Sequence, residues 1–421
     1  SMKNSKTKII ATTGPASSSA SVLEQMIRAG VDICRINFSH GSYDKIKKII
    51  HSVRDINKKL GTHVGILADL QGPKLRIGEV KNNKVVLQEG KEFIITTQPC
   101  LGTEKKVYIT YTQFPKDVEK DDNVLIDDGK ILLKVISTNR KNSVKTKIIH
   151  GGILLSNKGV NLPNTKISLP CLTPKDKKDL KFALDCGVEW IGLSFVRSVT
   201  DIVDLKELIK KHKVYARVIA KIEKPAALNE IDNIIDMADA VMVARGDLGV
   251  ELPMEQVPLV QKMIVKKCRS ASKPVIIATQ MMESMIHNFS PTRAEVNDVA
   301  NAVLDGADAV MLSGETSIGK FPVKVIETMQ KIVLRAEEEN LIYYREHEPT
   351  VKNHTYVTDS ICYTACLLAK QARVSAIISM TNSGYTAFKI SSQRPKANIF
   401  IFTDNHTLLT SLNLVWGVRG F

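Results

Sequence analysis

The sequence predicts an α/β protein: a (βα)8 TIM barrel with an inserted small β-barrel domain and a C-terminal doubly wound α/β domain. Eight apolar runs, each followed by a helical pattern, indicate the barrel. Between Gly72 and Pro170 short alternating segments replace that pattern, which indicates an all-β insert. After a polar stretch near Asn340, a new series of strands and helices begins. We therefore expect a barrel domain over residues 1–72 and 171–340, a β-rich lid over 73–170 and a C-terminal domain over 341–421.

The eight candidate barrel strands are short and rich in β-branched residues, as is typical of strands buried on both faces of a parallel sheet. Helix-capping residues punctuate the pattern: serines precede the first helix, and Gly30 and Gly61 follow the first two. In chain order the strand runs are KIIATT, DICRINF, VGILADL, WIGLSFV, RVIAKIE, AVMVARG, PVIIATQ and AVMLSGE. In such a barrel the carboxyl ends of the strands meet on one face, which holds the active site. The polar residues expected there are Thr13, Asn37, Ser39, Asp69, Arg197, Lys221, Glu223, Asp247, Thr279 and Ser313.

The chain is basic, with 59 Lys and Arg against 44 Asp and Glu and a formal net charge of +15. A phosphate-rich partner or a solvated lysine surface would each explain this balance. The lysine clusters fall at helical spacing on outward faces, and the sequence has no RGG, zinc-knuckle or aromatic-basic run. We therefore favour a solvated surface and expect no nucleic-acid partner.

Cysteine usage and hydropathy indicate the compartment. The seven cysteines are scattered and none forms a CxxC pair, which favours buried free thiols in a reducing compartment over disulfides or a zinc site. No apolar stretch has the length of a membrane span, and the N-terminus lacks a signal-peptide core. We expect a cytoplasmic protein without a membrane partner.

Two runs place opposite charges directly after apolar strands: Lys221-Ile222-Glu223, and Arg245-Gly246-Asp247. Glu223 and Asp247 are suited to share one hard divalent cation, with the Lys221 ammonium beside it, as is needed where phosphate charge develops. Surface loops with salt bridges are the alternative interpretation. The eight-strand pattern favours the functional one, because it brings both runs to the same face.

The β-rich insert interrupts the barrel after its third strand and returns through KGVNLPNTKISLP, whose prolines suit a hinge. We expect it to act as a lid that closes over the catalytic face and excludes water. A purely structural appendage is the alternative.

Many segments of the chain match one family in order, and the sequence resembles pyruvate kinase over its whole length. The matching motifs are RINFSHGS, LADLQGPKLRIG, DDGKI, NKGVNLP, KIEKP, ARGDLGVELP, PVIIATQMMESM, PTRAEVNDVANAVLDGADAVMLSGET and TNSGYTA. The resemblance implies a glycolytic, cytoplasmic phosphotransferase that moves the phosphoryl group of phosphoenolpyruvate to ADP, giving ATP and pyruvate. It also implies a homotetramer. Another metal-dependent barrel enzyme acting on phosphoenolpyruvate or pyruvate, and an inactive regulatory relative, are the rival interpretations.

The resemblance also implies roles for individual residues. Glu223 and Asp247 hold Mg²⁺ or Mn²⁺, while Lys221 and Arg35 stabilise the transferred phosphoryl group. The substrate carboxylate is received by the Gly246 and Asp247 amides and the Thr279 hydroxyl. Because a hydroxyl is a weak acid, protonation of the enolate carbon at Thr279 is expected to run through a water relay. The relay residues are Ser313 and Glu315.

On the nucleotide side, the resemblance implies that Arg76 and Lys158 contact the phosphates of ADP and that Pro15 and His40 line the site. For His40 the alternative is a residue near a helix N-terminus with no ligand.

One departure from many family members concerns potassium. Those members have Glu in the segment DTKGPEIR and bind K⁺ near the positions of Asn37, Ser39 and Asp69. This chain has Lys74 in place of the acid, with Leu70 and Gln71 before it. Because an ammonium is charged at neutral pH, we expect it to replace the ion, so that K⁺ is not required. A solvated Lys74 with K⁺ still bound is the alternative.

A strand-to-helix turn in the C-terminal domain resembles the phosphate-binding loop of the family's effector pocket, which implies a sugar-phosphate or nucleotide effector. A capped turn without a ligand is the alternative. The family's C-terminal domain continues beyond the position of Phe421, so we expect half of that pocket to be absent from this sequence. The loop consists of Thr381, Asn382, Ser383, Gly384, Tyr385 and Thr386.

Overall fold

Strands and helices alternate at the start of the chain, as the apolar pattern predicts. The computed structural model describes residues 5–421. The side chains of Ser19 and Ser42 cap the first two helices by accepting hydrogen bonds from backbone amides in the first turn. Gly61 ends the second helix in the left-handed conformation, at a φ of 67°. These first elements are β1 (Lys8–Thr12), α1 (Ala20–Ala29), β2 (Ile33–Asn37), α2 (Tyr43–Leu60) and β3 (Gly65–Asp69).

The insert that follows β3 is built almost entirely of short strands around one apolar core. Its elements are β4 (Lys84–Leu87), β5 (Glu92–Thr96), β6 (Lys106–Tyr108), α3 (Phe114–Asp117), β7 (Asn123–Ile126), β8 (Ile131–Thr138), β9 (Ser143–His150), β10 (Gly152–Leu155) and β11 (Val160–Asn161). They form a six-stranded sheet in the order β11-β7-β8-β9-β5-β6 and a two-stranded sheet of β10 and β4. Along β8 and β9 buried and exposed side chains alternate, because one face of this sheet covers the core and the other faces water.

The barrel resumes after the insert, and capping boxes at Thr173, Ser198 and Thr292 mark three of its helix starts. Its elements are α4 (Pro174–Asp185), β12 (Trp190–Leu193), α5 (Val199–Lys211), β13 (Arg217–Ile222), α6 (Pro225–Leu228), α7 (Ile231–Met237), β14 (Ala240–Ala244), α8 (Arg245–Glu251), α9 (Val257–Ser270), β15 (Val275–Ala278), α10 (Arg293–Asp305), β16 (Ala309–Leu312), α11 (Gly314–Ser317) and α12 (Pro322–Ala336). Among the described residues, no helix is at once long and apolar enough to cross a bilayer.

Eight parallel strands close into a barrel in the order β1-β16-β15-β14-β13-β12-β3-β2. Closure is made by the pairing of β1 with β16, where Lys8 lies opposite Ala309. The interior is filled by one large side chain from most strands, including Ile10, Leu67 and Trp190, all buried. The predicted (βα)8 barrel and its eight strands are confirmed; the domain limits at residues 72/73, 170/171 and 340/341 stay predictions.

The C-terminal region forms a three-stranded parallel sheet in the order β17-β18-β19, flanked by helices. Its elements are α13 (Tyr356–Ala372), β17 (Ala376–Met380), α14 (Tyr385–Ser392), β18 (Asn398–Phe402), α15 (His406–Leu412) and β19 (Val418–Gly420). The predicted α/β alternation is therefore present here too. Strand β19 has only three residues, and no apolar run in the sequence predicts it.

All seven cysteines are free thiols, and five of them are buried. Burial raises the pKa of Cys34 to about 12 and that of Cys362 to about 11, so both thiols stay neutral at physiological pH. The prediction of free, mostly buried thiols is confirmed.

The C-terminal region joins the barrel through a buried ion pair at the amino ends of the strands. Arg394 is 1% exposed and donates through Nη2 to Asp308 Oδ1 at 3.0 Å and to the Gly306 carbonyl at 2.7 Å. Asp308 also accepts from the amides of Val275 and Trp416, so one carboxylate holds β15, Arg394 and the segment before β19. Removing one partner of a buried ion pair destabilises a protein much more than removing one partner of an exposed pair, because the remaining charge stays buried.

Replacing Asp308 with Asn should destabilise the protein strongly, because the Arg394 charge would stay buried without a counter-charge. We expect a loss of about 3–5 kcal/mol in unfolding free energy, measured by urea unfolding followed by tryptophan fluorescence.

Asp305→Asn is the matched control. Asp305 pairs with the exposed Lys262 at 2.6 Å, and exposed pairs contribute about 1 kcal/mol or less. Equal losses in the two variants would show that the buried pair does not join the two parts of the fold.

Candidate active site

The buried carboxylate of Asp69 holds two cationic side chains at the carboxyl end of the barrel. Lys221 Nζ lies 3.0 and 3.1 Å from its two oxygens and 3.1 Å from Ser194 Oγ. Arg35 Nε donates to Asp69 Oδ2 at 2.7 Å, and Arg35 Nη1 donates to Thr12 Oγ1 at 3.0 Å. These residues lie on, or directly after, strands β1, β2, β3, β12 and β13, which are consecutive neighbours in the barrel, so the closed sheet brings them together.

The two cations and the carboxylate stabilise one another's charged forms. Burial alone would raise the pKa of Asp69, but Lys221 and Arg35 outweigh it and hold that pKa below its usual value. Burial likewise opposes the charge on Lys221, and Asp69 and Glu223 raise its pKa above the usual value. Lys221 therefore stays an ammonium although it is only 8% exposed.

Glu223 lies two positions after Lys221 and is 4% exposed. Its Oε1 accepts from the Phe195 amide at 2.9 Å and lies 3.8 Å from Lys221 Nζ. Burial, together with the nearby charge of Asp247 and despite the opposing effect of Lys221, raises the pKa of Glu223 to about 7. A second cation beside Glu223 would stabilise its ionised form and lower this pKa.

Asp247 lies in the first turn of α8 and supplies the second carboxylate. Within residues 5–421, no group of three or more His, Cys, Asp and Glu side chains is arranged to hold a metal ion. The Glu223 and Asp247 oxygens are hard donors of the kind that Mg²⁺ prefers, and Mg²⁺ commonly binds through one or two carboxylates plus substrate and water. The donor set therefore fits a divalent cation whose other ligands come from outside the side-chain carboxylates.

Thr279 directly follows β15 and has an unusual backbone conformation. Its φ is +70°, and Gln280 follows at +55°. Thr279 Oγ1 is buried and has no hydrogen-bond partner in the structure, and a Cβ built on Gly246 would lie 3.6 Å from it. The Thr279 hydroxyl therefore lies within van der Waals distance of position 246, near the start of α8.

Glu315 is buried, and both of its oxygens are engaged by backbone amides. Oε2 accepts from Met282 at 3.1 Å and Oε1 from Ser313 at 3.0 Å. Burial raises its pKa above the usual value. The structure thus places Ser313 and Glu315 beside the loop that follows Thr279, while the water relay between them stays a prediction.

A cleft of about 250 Å³ separates the insert from the barrel. It brings together Arg76 and Lys158 from the insert, Asp247 from α8, and Lys74. Arg76 Nη1 donates to the Asn157 carbonyl at 3.0 Å, and Lys158 Nζ lies 3.8 Å from Asp127 Oδ1. With Arg197 and Lys224, which also line it, the cleft combines five cationic side chains with Asp247, one of the candidate metal ligands.

Pro15 and His40 are exposed on the loops after β1 and β2 and do not line that cleft. Asn37 ends β2 opposite Asp69, and its Oδ1 accepts from the Ser39 amide at 3.0 Å. Lys74 is exposed on the cleft wall. Of the residues predicted near the monovalent cation, Asp69 is thus the one that pairs with Lys221 and Arg35.

The insert contacts the barrel through side chains that no sequence motif indicates as partners. Asn161 Nδ2 donates to Asp247 Oδ1 at 3.2 Å and to Glu251 Oε1 at 3.1 Å. Lys224 Nζ lies 2.5 Å from the same Glu251 oxygen. Asn161 belongs to the NKGVNLP segment, but nothing in its local pattern indicates a partner on α8.

The C-terminal loop lies far from this cleft, at the amino ends of the barrel strands. Gly384 has a φ of +85° and its amide donates to Thr381 Oγ1, which shapes the turn between β17 and α14. The Ser383 carbonyl accepts from Arg217 Nη2 at 3.0 Å, and Arg217 begins β13. The remaining loop residues are Asn382, which lines an adjacent cavity of about 550 Å³, Tyr385, which donates to Asp359, and Thr386, whose hydroxyl lies 3.0 Å from that of Ser379.

Comparison with known proteins gives matches over nearly the whole chain. Residues 4–326 match the family model "Pyruvate kinase, barrel domain", and residues 359–421 match "Pyruvate kinase, alpha/beta domain". A pyruvate kinase of Geobacillus stearothermophilus is 42% identical over 417 residues, covering 98% of this chain and 71% of that protein. A pyruvate kinase of Corynebacterium glutamicum is 44% identical over 416 residues, covering 99% and 86%. The solved structure of a pyruvate kinase from Cryptosporidium parvum superimposes with a TM-score of 0.94 at 34% identity, covering 99% of this chain and 87% of that one.

Glu223→Gln should stabilise the metal-free protein at pH 8. Because the folded-state pKa of about 7 exceeds the unfolded value near 4.5, the folded protein binds more protons between these limits, and its stability falls as pH rises through them. The ionised side chain then costs up to about 3 kcal/mol, which Gln removes. Chemical unfolding in EDTA at pH 5 and pH 8 should show the gain at pH 8 alone.

Excess Mg²⁺ should shrink the gain at pH 8, since the cation stabilises the wild-type carboxylate. Glu255→Gln, at an exposed glutamate, is the control and should change stability little at either pH. A gain of equal size at pH 5 would contradict a charge effect at Glu223.

Proposed function

Since the chain belongs to the pyruvate kinase family, whose members transfer a phosphoryl group from phosphoenolpyruvate to ADP, we propose that the Asp69-centred cluster is where this transfer occurs. The observation that carries the proposal is the shared contact of Lys221 and Arg35 with the buried Asp69 carboxylate. Phosphoryl transfer passes through a loose transition state, so it depends mainly on fixed charge and alignment. Two cations held by one carboxylate supply the fixed charge and the alignment.

Lys221 and Arg35 act on the phosphoryl oxygens. Their side chains are already oriented by Asp69, Ser194 and Thr12, so little reorganisation is needed when charge develops. Lys221 also faces the oxygen that becomes the enolate when the phosphoryl group leaves.

Glu223 and Asp247 hold Mg²⁺ or Mn²⁺, and the family needs a divalent cation. When bound, the cation neutralises charge on the substrate and phosphoryl oxygens. Support for this assignment comes from the raised pKa of Glu223, since burial and the Asp247 charge make the Glu223 carboxylate costly to ionise without a cation beside it.

The substrate carboxylate lies against the amides of Gly246 and Asp247, with the Thr279 hydroxyl beside them. The buried Thr279 Oγ1 has no partner in the protein, which supports a contact with substrate or water. We assign to Thr279 the delivery of a proton to the enolate carbon, through water and the Ser313–Glu315 loop.

ADP occupies the cleft between insert and barrel, where Arg76 and Lys158 contact its phosphates and Asp247 is close by. Pro15 and His40 lie on exposed barrel loops outside the lining of this cleft, and the family resemblance alone assigns them to the nucleotide side. Closure of the insert then encloses both substrates, and its contact through Asn161 with α8 supports this lid role.

Potassium is not required, because Lys74 supplies the positive charge. Lys74 lies on the wall of the substrate cleft, which supports this assignment over that of a remote solvated residue. A K⁺ ion a few ångströms from the ammonium would be repelled by about 4 kcal/mol at an effective dielectric of about 20.

The protein acts in the cytoplasm and assembles as a homotetramer. Its loop from Thr381 to Thr386 holds the phosphate of a sugar-phosphate or nucleotide effector. Seven free cysteines support a reducing compartment. Exposed Val357, Ile361 and Leu368 along α13 support a further contact surface in an assembly. Arg217 links the effector loop to β13, the strand that carries Lys221.

Lys221→Met should lower kcat at least about 10²–10³-fold and change KM for phosphoenolpyruvate only severalfold, because the charge acts mainly in the transition state. Pyruvate formation from phosphoenolpyruvate and ADP, coupled to lactate dehydrogenase, measures both constants.

The wild-type protein in this assay tests the function itself: lack of turnover with Mg²⁺ or Mn²⁺ would overturn it. Lys206→Met is the control, since Lys206 pairs with Asp239 away from the cleft and should keep full activity. A Lys221→Met enzyme with an altered KM alone would contradict the assigned role.

Potassium should leave the activity of the wild-type protein unchanged, and Lys74→Glu should make the enzyme dependent on it. The variant replaces a fixed cation by a carboxylate that attracts one, so we expect activation of tenfold or more by K⁺. Activity is measured in tetramethylammonium buffer with and without KCl.

Lys116→Glu makes the same charge change at an exposed position of the insert and should remain indifferent to potassium. Strong activation of the wild-type protein by KCl, or indifference of Lys74→Glu, would refute the assignment.

A further inference from the structure

Arg245, the first residue of α8, spans from α10 to the loop that contains Thr279. Its Nη1 and Nη2 lie 2.7 and 2.8 Å from the two oxygens of Asp298, which is a two-point ion pair. The same guanidinium donates to the Thr279 carbonyl at 2.7 Å and to the Ala278 carbonyl at 3.3 Å. One side chain thus fixes two consecutive carbonyls at the end of β15.

Those carbonyls belong to a segment in an unfavourable conformation. Thr279 is β-branched, and a φ of +70° places its Cβ close to the backbone, so such residues seldom adopt it. Gln280 follows with a second positive φ. A conformation of this kind persists only where surrounding contacts enforce it.

Contacts enforce it at both ends. Arg245 holds the carbonyls of Ala278 and Thr279, and Glu315 holds the Met282 amide at 3.1 Å. The backbone between them is constrained, and the result is a Thr279 hydroxyl that is buried, lacks a partner and faces Gly246. A relaxed backbone at Thr279 would turn this hydroxyl elsewhere.

We propose that Arg245, oriented by Asp298, is a positioning residue that keeps the Thr279 hydroxyl directed at the reacting enolate. The inference rests on the role proposed above for Thr279. A planar guanidinium reaches Asp298 and two carbonyls at once, which the single ammonium of lysine cannot do. The pair therefore acts on protonation of the enolate carbon through Thr279, and it does not contact the substrate.

The test isolates the proton step. Exchange of the C3 protons of pyruvate with D2O, followed by NMR in the presence of enzyme and Mg²⁺, reports formation and reprotonation of the enolate without net phosphoryl transfer. Asp298→Asn should slow this exchange tenfold to a hundredfold, while KM for phosphoenolpyruvate stays within about threefold. Arg245→Lys should behave alike and keeps the test available if Asp298→Asn does not fold.

A double-mutant cycle separates positioning from general support of the fold. In a Thr279→Ala background the hydroxyl is gone, so adding Asp298→Asn should slow the exchange no further. If the two substitutions slowed the exchange rate by factors that multiply in the double variant, the positioning role would be overturned. Wild-type exchange in both Asp298→Asn and Arg245→Lys would overturn it as well.

The Thr279→Ala variant distinguishes a failure of the role proposed for Thr279 from a failure of the positioning role proposed for Arg245. Wild-type exchange in Thr279→Ala would refute the role of Thr279 itself, whereas slow exchange in Thr279→Ala with normal exchange in the Arg245 and Asp298 variants would refute only the positioning. Asp305→Asn, on the same helix as Asp298, is the control and should exchange at the wild-type rate.

Discussion

The site depends on one buried carboxylate, that of Asp69. A buried anion is costly unless it is paired, and Asp69 is paired twice, with Lys221 and Arg35. The same contacts orient both cations toward the space above the barrel. Loss of this carboxylate would leave the buried Lys221 and the partly buried Arg35 close together without the anion between them, so the stability of the barrel top and the alignment of the two cations rest on the same group.

The rest of the site contains buried groups that are unfavourable in the free protein. Under the proposed function, a bound ligand would stabilise them. Burial and the nearby Asp247 charge raise the pKa of Glu223, and under the proposed function a divalent cation would offset this effect. Thr279 has a buried hydroxyl without a partner, in a backbone conformation that Arg245 and Glu315 maintain. Asn161 connects the insert to the helix that carries Asp247, so the insert contacts one of the proposed metal ligands directly. The buried Glu223 carboxylate, the unpartnered Thr279 hydroxyl and the positive φ of Thr279 each cost the free protein stability.

Sequence patterns predicted the elements of this fold well and their contacts poorly. The eight barrel strands could be found because a strand buried on both faces is a short run of β-branched residues. Lys221, Glu223 and Asp247 could be found because charges follow such runs directly. The partnership of Lys221 with Asp69 joins residues 152 positions apart. Pairs such as Arg245 with Asp298, or Arg394 with Asp308, have no local signature, since each is an ordinary charged residue until the barrel closes.

The sequence by itself therefore determined the class of fold, the order of its parts, the family and the positions where chemistry is possible. Those features depend on periodicities of two and 3.6 residues and on motifs that are contiguous in the chain. Tertiary structure alone decided that Asp69 pairs with the two cations, that the pKa of Glu223 rises to about 7, and that Thr279 adopts a positive φ. The physical reason is that burial, Coulomb interaction and backbone strain depend on distances between segments remote in sequence, and these distances exist only once the sheet has closed.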